Sequence, residues 1–242
     1  MNILTIVKKY KDELNELYHS GWDPLTLIGH YGTAMKVFEA QTLYSIVREK
    51  KYRDILEIGT AQGFSALYLC KALESLRQEG SVSFDSVDIG SESKSLATVL
   101  LSEQGVDTSF TNFICEDSKV AIPSINKQYD MCLIDGAHDY LNAKRDLINV
   151  FPKIRKGGCI VMDDIQPTLS KDTAHWVWQE VVSGDIIEDN IETHELDAEL
   201  FNFFSYPYDI NECARLQQKW GTKSWIANDV DPRKTVGVIF KK

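Results

Sequence analysis

The chain has 242 residues, 43% of them hydrophobic, and its 36 acidic against 26 basic residues give a formal net charge of −10. This length allows a full globular core, whereas the negative charge works against binding nucleic acid or an anionic membrane through charge alone. No apolar stretch approaches the length of a membrane span, and the apolar start of the chain is too short for a signal peptide. We therefore expect a cytoplasmic protein that acts on a small molecule.

Cysteine usage excludes two further classes of protein. The five cysteines are never spaced as CxxC and lie mostly within apolar runs. A thiol in such a run behaves as a small hydrophobic group. A disulfide framework or a thiolate metal site is therefore not expected.

Short apolar runs rich in branched residues alternate with helical segments from residue 53 to about 183. This alternation predicts an α/β fold of repeated βαβ units, with a doubly wound parallel sheet and helices on both faces. The predicted strands are 54–59, 81–89, 109–117, 129–136, 157–164 and 235–242. The predicted helices that connect them are 63–76, 94–104, 118–127, 141–154 and 174–182.

The segments outside this core are assigned by their position. Residues 1–50 are predicted to form a helical cap over the ligand cleft, before the core at 53–183. Residues 184–234 are predicted to form an insertion or lid before the last strand at 235–242; part of this segment, 184–212, contains nine acidic residues and no Lys or Arg. We expect the whole chain, 1–242, to form one domain.

A turn bracketed by glycines follows the first predicted strand, in ILEIGTAQGFS. Glycine allows the backbone to approach a ligand closely, but the GxGxxG pattern of dinucleotide-binding turns is absent. Glu57 beside the turn would repel a phosphate and suits a positively charged ligand with an amino-acid tail, such as S-adenosylmethionine. The cofactor-binding residues predicted here are Glu57, Gly59, Thr60, Ala61, Gln62, Gly63 and Ser65.

Two further acids stand at the ends of predicted strands. Asp88 closes the second strand, where a carboxylate can accept hydrogen bonds from both ribose hydroxyls. Asp117, followed by Ser118, closes the third strand within reach of an adenine amino group. Each Asp is also a suitable helix N-cap. We favour a ligand role for Asp88, and both roles stay open for Asp117.

Two apolar runs end in acid: MCLID delivers Asp135, and CIVMDD delivers Asp163 and Asp164. On neighbouring strands, about 4.8 Å apart, the three carboxylates converge at the carboxyl edge of the sheet. Like charges that close raise one another's pKa unless a cation lies between them, and a hard divalent ion prefers oxygen ligands. Asp135, Asp163 and Asp164 are therefore the predicted metal ligands, although either of the last two residues can instead cap the following helix.

Five motifs occur in order along the chain: ILEIGTAQGFSALYL, SVDIG, CEDS, YDMCLIDGAHDY and KGGCIVMDDI. Together they resemble the class I S-adenosylmethionine-dependent methyltransferases, and within that class the metal-dependent O-methyltransferases. The resemblance implies a Rossmann-like, mostly parallel seven-stranded sheet with an antiparallel last strand. It also implies Mg²⁺ or another divalent cation at the three Asp residues, and a cofactor contact from Asp135. Ala61 and Glu116 stand where the family often has glycine.

The resemblance also implies the reaction. Asp164 stands where catechol O-methyltransferases have Asn, which is more similar to sugar O-methyltransferases of macrolide and aminocoumarin pathways. His138 stands where the catechol enzymes have a catalytic Lys, and a histidine can accept a proton at neutral pH. The implied catalytic residues are His138 and Asp135, with Asp139 as the alternative base. The expected substrate is a hydroxylated small molecule whose diol is bound beside the metal.

Three alternatives remain. One is a methyltransferase that needs no metal and uses His138 alone. Another is a regulatory protein that binds the cofactor without turnover, and an NAD-dependent dehydrogenase is less favoured. A homo-oligomer is also left open.

Overall fold

The structure of the protein is a computed structural model that describes residues 2–14, 35, 37–166, 170, 172–187, 189–196 and 236–242. Its strands are β1 (Asp54–Ile58), β2 (Ser83–Asp88), β3 (Thr111–Cys115), β4 (Tyr129–Ile134), β5 (Ile154–Met162), β6 (Ile191–Leu196) and β7 (Val236–Lys241). Its helices are α1 (Ile3–Lys9), α2 (Val37–Lys50), α3 (Phe64–Leu76), α4 (Ser93–Glu103), α5 (Ser118–Ser124), α6 (Tyr140–Val150) and α7 (Ala174–Ser183).

These strands form one sheet in the order β3-β2-β1-β4-β5-β7-β6. The pairs among β1 to β5 are parallel, and β7 runs antiparallel to both β5 and β6. This arrangement confirms the predicted mostly parallel, seven-stranded Rossmann-like sheet with an antiparallel last strand. The edge strand β6 lies inside the segment that the sequence assigned to an insertion or lid. Residues 188 and 197–234 of that assignment lie outside the described residues.

The central strands are buried on both faces. Neighbouring residues of β1 and β4 alternate between two hydrophobic clusters: Ile55 and Met131 belong to one, Leu56 and Cys132 to the other. Helices α1 to α4 contribute to the first cluster and α5 to α7 to the second. Burial of one large apolar side chain contributes roughly 1.5–3 kcal/mol. The two clusters therefore hold the carboxyl edge of β1, β2, β4 and β5 in a defined register.

Helices α1 and α2 lie in the segment predicted to form an N-terminal cap. They pack against each other, and Lys9 Nζ lies 2.6 Å from Glu49 Oε2. Residues 1, 15–34 and 36 of that segment lie outside the described residues, but Met35 contributes to the wall of the cleft described below. None of the described helices combines the length and apolar composition needed to cross a membrane.

Candidate active site

The strand ends bring the predicted site residues to one edge of the sheet. Backbone hydrogen bonds continue past the strands: Asp135 N donates to Ile58 O at 2.9 Å, and Asp163 N donates to Ile134 O at 3.0 Å. A cleft of about 600 Å³ opens there, a size typical of small-molecule sites. Predicted residues that line it are Gly59, Thr60, Ala61, Gln62, Ser65, Asp88, Asp117, Ser118, Asp135, His138, Asp163 and Asp164. Glu57, Gly63 and Asp139 are not part of its described wall.

Glycine is required at both ends of the turn after β1. Gly59 has φ +97°, and a Cβ built on it would lie 2.0 Å from the carbonyl oxygen of Asp135. Gly63 has φ +89°, and its Cβ would lie 2.7 Å from the Cβ of Ala97. Ala61 between them also adopts a left-handed conformation, with φ +44°. The preference of the family for glycine at this middle position therefore has a conformational reason.

Asp88 is held by the turn and does not cap a helix. Its Oδ2 accepts a hydrogen bond from Ala61 N at 2.7 Å, and its Oδ1 accepts one from Gly90 N at 2.6 Å. Two backbone donors thus fix the carboxylate at the wall of the cleft. Each carboxylate oxygen has a further lone pair that can accept a hydrogen bond from a ligand.

Glu57 lies beneath the cleft and is fully buried. Ser65 Oγ donates to its Oε1 and Ser86 Oγ donates to its Oε2, each at 2.6 Å. Burial raises the pKa of Glu57 to about 7, although these two hydrogen bonds act in the opposite direction. Glu57, predicted from the sequence as a cofactor-binding residue, is not part of the described cleft wall, and its carboxylate is bonded to Ser65 and Ser86.

The three acids after β4 and β5 line the same cleft. Burial raises the pKa of Asp135 well above its ordinary value, and the charges of Asp163 and Asp164 raise it further. Asp164 has φ +57°, a conformation that Asp adopts more readily than most residues. Within the described ranges, no group of three or more His, Cys, Asp or Glu side chains is arranged to hold a metal ion.

His138 stands between the acids and solvent. Its Nδ1 lies 3.0 Å from Asp164 Oδ2, and its side chain is 52% exposed. Its carbonyl oxygen accepts a hydrogen bond from Ala174 N at 2.8 Å, which fixes the loop to the start of α7. The backbone and one ring nitrogen of His138 are therefore both held.

Two other predicted residues act as helix N-caps. Asp139 is the N-cap of α6 and accepts hydrogen bonds from Asn142 N at 3.0 Å and Asn142 Nδ2 at 2.6 Å, which lower its pKa. Asp117 is the N-cap of α5. It accepts a hydrogen bond from Lys119 N at 2.9 Å and pairs with Lys119 Nζ at 2.7 Å, and these contacts lower its pKa. Asp117 lines the cleft as well, so the cap does not exclude a ligand contact.

Several cleft residues were missed from the sequence. Ile89, directly after Asp88, is 75% exposed, and an apolar residue just beyond a strand end was an available signal. Asp146 is buried and its Oδ1 accepts a hydrogen bond from Ser118 Oγ at 2.7 Å. Asp146 lies on the same face of α6 as the buried residues Ala143, Leu147 and Val150. An acid on the apolar face of a helix was therefore a detectable signal in the sequence. Arg145 and Asn142 line the cleft without such a signal.

A family comparison agrees with this geometry. Residues 56–165, from β1 to just beyond β5, match the family model of a methyltransferase domain. The chain therefore contains a methyltransferase domain, and the resemblance to class I S-adenosylmethionine-dependent methyltransferases is confirmed. The prediction that the protein is an enzyme of this class is confirmed with it. No curated protein matches the sequence significantly.

Solved structures share the fold at low sequence identity. Cofactor-bound Rv0187 from MTB has a TM-score of 0.66 at 14% identity over 95% of both chains. The O-methyltransferase TomG from Streptomyces achromogenes, involved in tomaymycin synthesis and in complex with SAM, has a TM-score of 0.62 at 14% identity over 86% of this chain and 82% of its own. An O-methyltransferase from Bacillus cereus in complex with SAH has a TM-score of 0.59 at 14% identity over 98% and 91%. These similarities establish the shared fold.

Proposed function

We propose that the protein is an S-adenosylmethionine-dependent O-methyltransferase that methylates a hydroxyl of a small, diol-bearing acceptor. The observation that carries this proposal is one cleft that gathers the glycine turn, the Asp88 carboxylate and His138 at adjacent strand ends. The complexes of TomG with SAM and of the Bacillus cereus enzyme with SAH support the choice of cofactor. The net charge of −10 favours a small acceptor over nucleic acid or an anionic membrane surface. A cytoplasmic location remains part of the proposal.

The cofactor assignment rests on the chemistry of the cleft wall. The fixed Asp88 carboxylate suits two ribose hydroxyls, and Ile89 beside it offers an apolar surface to a base. Asp117 and Ser118 remain the proposed adenine contacts. The turn reads GTAQGFS and lacks the GxGxxG pattern whose backbone N–H groups bind a pyrophosphate, which favours a sulfonium cofactor over a dinucleotide.

His138 is the proposed general base. If its Nδ1–H donates to Asp164 Oδ2 across the 3.0 Å contact, its Nε2 carries the lone pair that accepts the proton of the substrate hydroxyl. The resulting oxygen anion attacks the sulfonium methyl in line, and the thioether leaves without needing a proton. Acceleration then comes mainly from placing the two substrates and excluding water. Asp139 remains the alternative base, although its carboxylate is engaged as a helix cap.

A divalent cation, Mg²⁺ by resemblance, is the proposed partner of Asp135, Asp163 and Asp164. The donor set fits chemically, because all three are oxygen ligands, and because burial and then the charges of Asp163 and Asp164 raise the pKa of Asp135, an effect that a bound cation would oppose. Such an ion, when bound, lowers the pKa of a coordinated hydroxyl. Asp164, where catechol enzymes have Asn, favours a sugar or glycosylated natural product over a catechol.

A metal-independent methyltransferase is the second candidate. It is favoured by the contact between Asp164 and His138, which engages one predicted metal ligand with the proposed base. It is also favoured by the finding that the described acids do not form a three-ligand metal arrangement. In this case Asp164 would orient His138, and Asp135 would contact the cofactor without binding a metal ion.

The decisive experiment is methyl transfer from radiolabelled S-adenosylmethionine to panels of sugars, catechols and macrocycles. The full chain is treated with a chelator and assayed before and after addition of MgCl₂. Label on an oxygen of a diol acceptor, dependent on Mg²⁺, is the expected result. Turnover that is insensitive to the chelator would select the metal-independent candidate, and no transfer to any acceptor would contradict the proposed reaction.

Substitutions separate the base from the metal ligands. His138→Gln should lower turnover by about 10²–10⁴-fold without changing SAH affinity. His194→Gln is the matched control, because His194 pairs with Glu192 on β6 away from the cleft wall. Asp163→Asn, which leaves the Asp164 partner of His138 unchanged, should abolish the Mg²⁺-dependent part of the activity and leave SAH affinity largely intact. Wild-type turnover in either variant would contradict the role assigned to the substituted residue.

A further inference from the structure

The start of α7 contacts both loops that carry the proposed catalytic groups. Ala174 N donates a hydrogen bond to the carbonyl oxygen of His138 at 2.8 Å, in the loop after β4. His175 Nδ1 lies 2.9 Å from the carbonyl oxygen of Ile165, which directly follows Asp164 in the loop after β5. Two consecutive residues of one helix therefore each hold one of the two loops.

Other contacts fix α7 in place without His175. Tyr140 Oη and Lys144 Nζ of α6 donate to the Glu180 carboxylate of α7 at 2.7 and 2.8 Å. On the inner side of α7, Val177 and Trp178 are fully buried in the second hydrophobic cluster. The helix is thus anchored to the core, and a side chain at its start can restrain a loop.

The contact with Ile165 defines where His175 carries its hydrogen. A backbone carbonyl oxygen only accepts hydrogen bonds, so Nδ1 of His175 must be the donor. Neutral histidine has a single ring N–H, so the neutral tautomer of His175 is Nδ1–H, and the protonated ring keeps the same donor. The hydrogen bond to Ile165 is therefore present in both charge states of His175, which makes it a constant restraint and not a pH switch.

The backbone at Asp164 depends on such a restraint. Its φ of +57° lies in the left-handed region, which a residue other than glycine keeps only where the surrounding structure holds it. In this conformation Asp164 Oδ2 lies 3.0 Å from His138 Nδ1. His175 holds the carbonyl group of the next residue, Ile165, which is buried. Release of Ile165 would let the Asp164 carboxylate move away from His138.

We infer that His175 is a positioning residue for the reaction: it holds the loop after β5 so that Asp164 orients the ring of His138. This inference rests on the proposed role of His138 as the general base. His175 is not part of the described cleft wall, so its effect passes through Ile165 and Asp164.

The tautomers of His138 and His175 can be measured directly in the full chain. The protein has five histidines, and two-bond ¹⁵N–¹H spectra of protein labelled with ¹⁵N-histidine distinguish Nδ1–H from Nε2–H in each of them at alkaline pH. The signals of the two residues are assigned from their loss in His138→Gln and His175→Asn. Both residues should show Nδ1–H in the wild type. In His175→Leu, which removes the donor, His138 should change to Nε2–H, the tautomer that predominates in free histidine.

A conservative variant separates positioning from a structural role. Asparagine carries an N–H donor the same number of bonds from Cα as histidine Nδ1, so His175→Asn should keep the Nδ1–H signal of His138 and most of the turnover. His175→Leu should lower kcat about tenfold or more, as for a misplaced catalytic group, and leave SAH affinity within about twofold. Turnover is measured with labelled S-adenosylmethionine and the sugar or catechol that the wild type labels best. If the Leu variant does not fold, His175→Gln, whose donor lies one bond farther from Cα, replaces it and should show the same loss.

Three outcomes would overturn the inference. Nε2–H at His175 in the wild type would contradict its hydrogen bond to Ile165. An unchanged His138 signal in the folded Leu variant would show that His175 does not orient the base. Equal losses of stability and turnover in the Asn and Leu variants would indicate a structural role. All three leave the proposed methyl transfer standing, whereas a wild type that labels no acceptor would overturn the proposed function and, with it, the role of His175 in the reaction.

Discussion

Replacement of Gly59 by alanine tests how tightly the turn after β1 is locked to the acid after β4. The substituted residue would have to adopt φ +97° and place its Cβ 2.0 Å from the carbonyl oxygen of Asp135. Ordinary contacts of carbon atoms lie at about 3.5–4.0 Å. The contacted atom is backbone, so side-chain rotation cannot relieve the overlap and the two strand ends must separate.

The expected destabilisation has two parts. A left-handed conformation is unfavourable for alanine by about 1–2 kcal/mol, and forced overlap in a packed region typically adds about 1–3 kcal/mol. The free energy of unfolding of Gly59→Ala should therefore fall by roughly 2–5 kcal/mol. Because Asp135 moves with the strand end, SAH affinity should fall as well.

Gly184→Ala is the matched control. Gly184 has φ +83°, and no atom lies within 4 Å of a Cβ built on it. The control variant carries the conformational penalty without the overlap and should lose only about 1–2 kcal/mol. Urea unfolding followed by circular dichroism compares the two variants. Equal losses of stability would refute the close approach of Gly59 to Asp135.

Three further predictions concern stability, pH dependence and the base. Ala61→Gly relieves the left-handed strain at φ +44°, but glycine loses more conformational entropy on folding than alanine does. The net effect should be a rise in the free energy of unfolding of up to about 1 kcal/mol, which urea unfolding measures. Glu57 has a pKa raised from 4.5 to about 7, so its contribution to stability is fully present below pH 4.5 and is lost as the pH rises to about 7. This decline is worth about 3 kcal/mol and should be absent from Glu57→Gln in unfolding curves across that range. Asp139→Asn should keep the N-cap and wild-type turnover, whereas Asp139→Ala should lose about 1 kcal/mol of stability.

Each of these predictions has a contradicting result. A loss of stability in Ala61→Gly would show that the turn is not strained. Parallel stability curves for wild type and Glu57→Gln between pH 4.5 and 7 would show that Glu57 does not titrate in this range. Loss of turnover in Asp139→Asn, with unchanged unfolding, would make Asp139 the base in place of His138.

The predicted strands of the core agree with the structure: β4 and the second half of β5 are apolar runs that end at turn residues, whereas the more polar β2 and β3 follow from the alternation of strands with helices. The strand at Ile191–Leu196 was missed because it lies outside that alternation. Four of the six residues of its sequence, IETHEL, are polar, and most of its residues are only partly buried at the edge of the sheet. A strand is identified from the sequence by the apolar residues that it buries. A partly exposed edge strand in an acidic segment has few such residues, so its pattern is weak.

The sequence by itself determined the fold class, the turn after β1 and the gathering of Asp88, Asp135 and Asp163 at one edge. Those follow from local patterns, because parallel strands of a βαβ fold place their carboxyl ends together. Only the tertiary structure decided what each side chain contacts. Glu57 binds Ser86 on another strand, and Asp164 meets His138 from a different loop. Such contacts depend on strand register and side-chain direction between segments distant along the chain, and neither is encoded in a local motif.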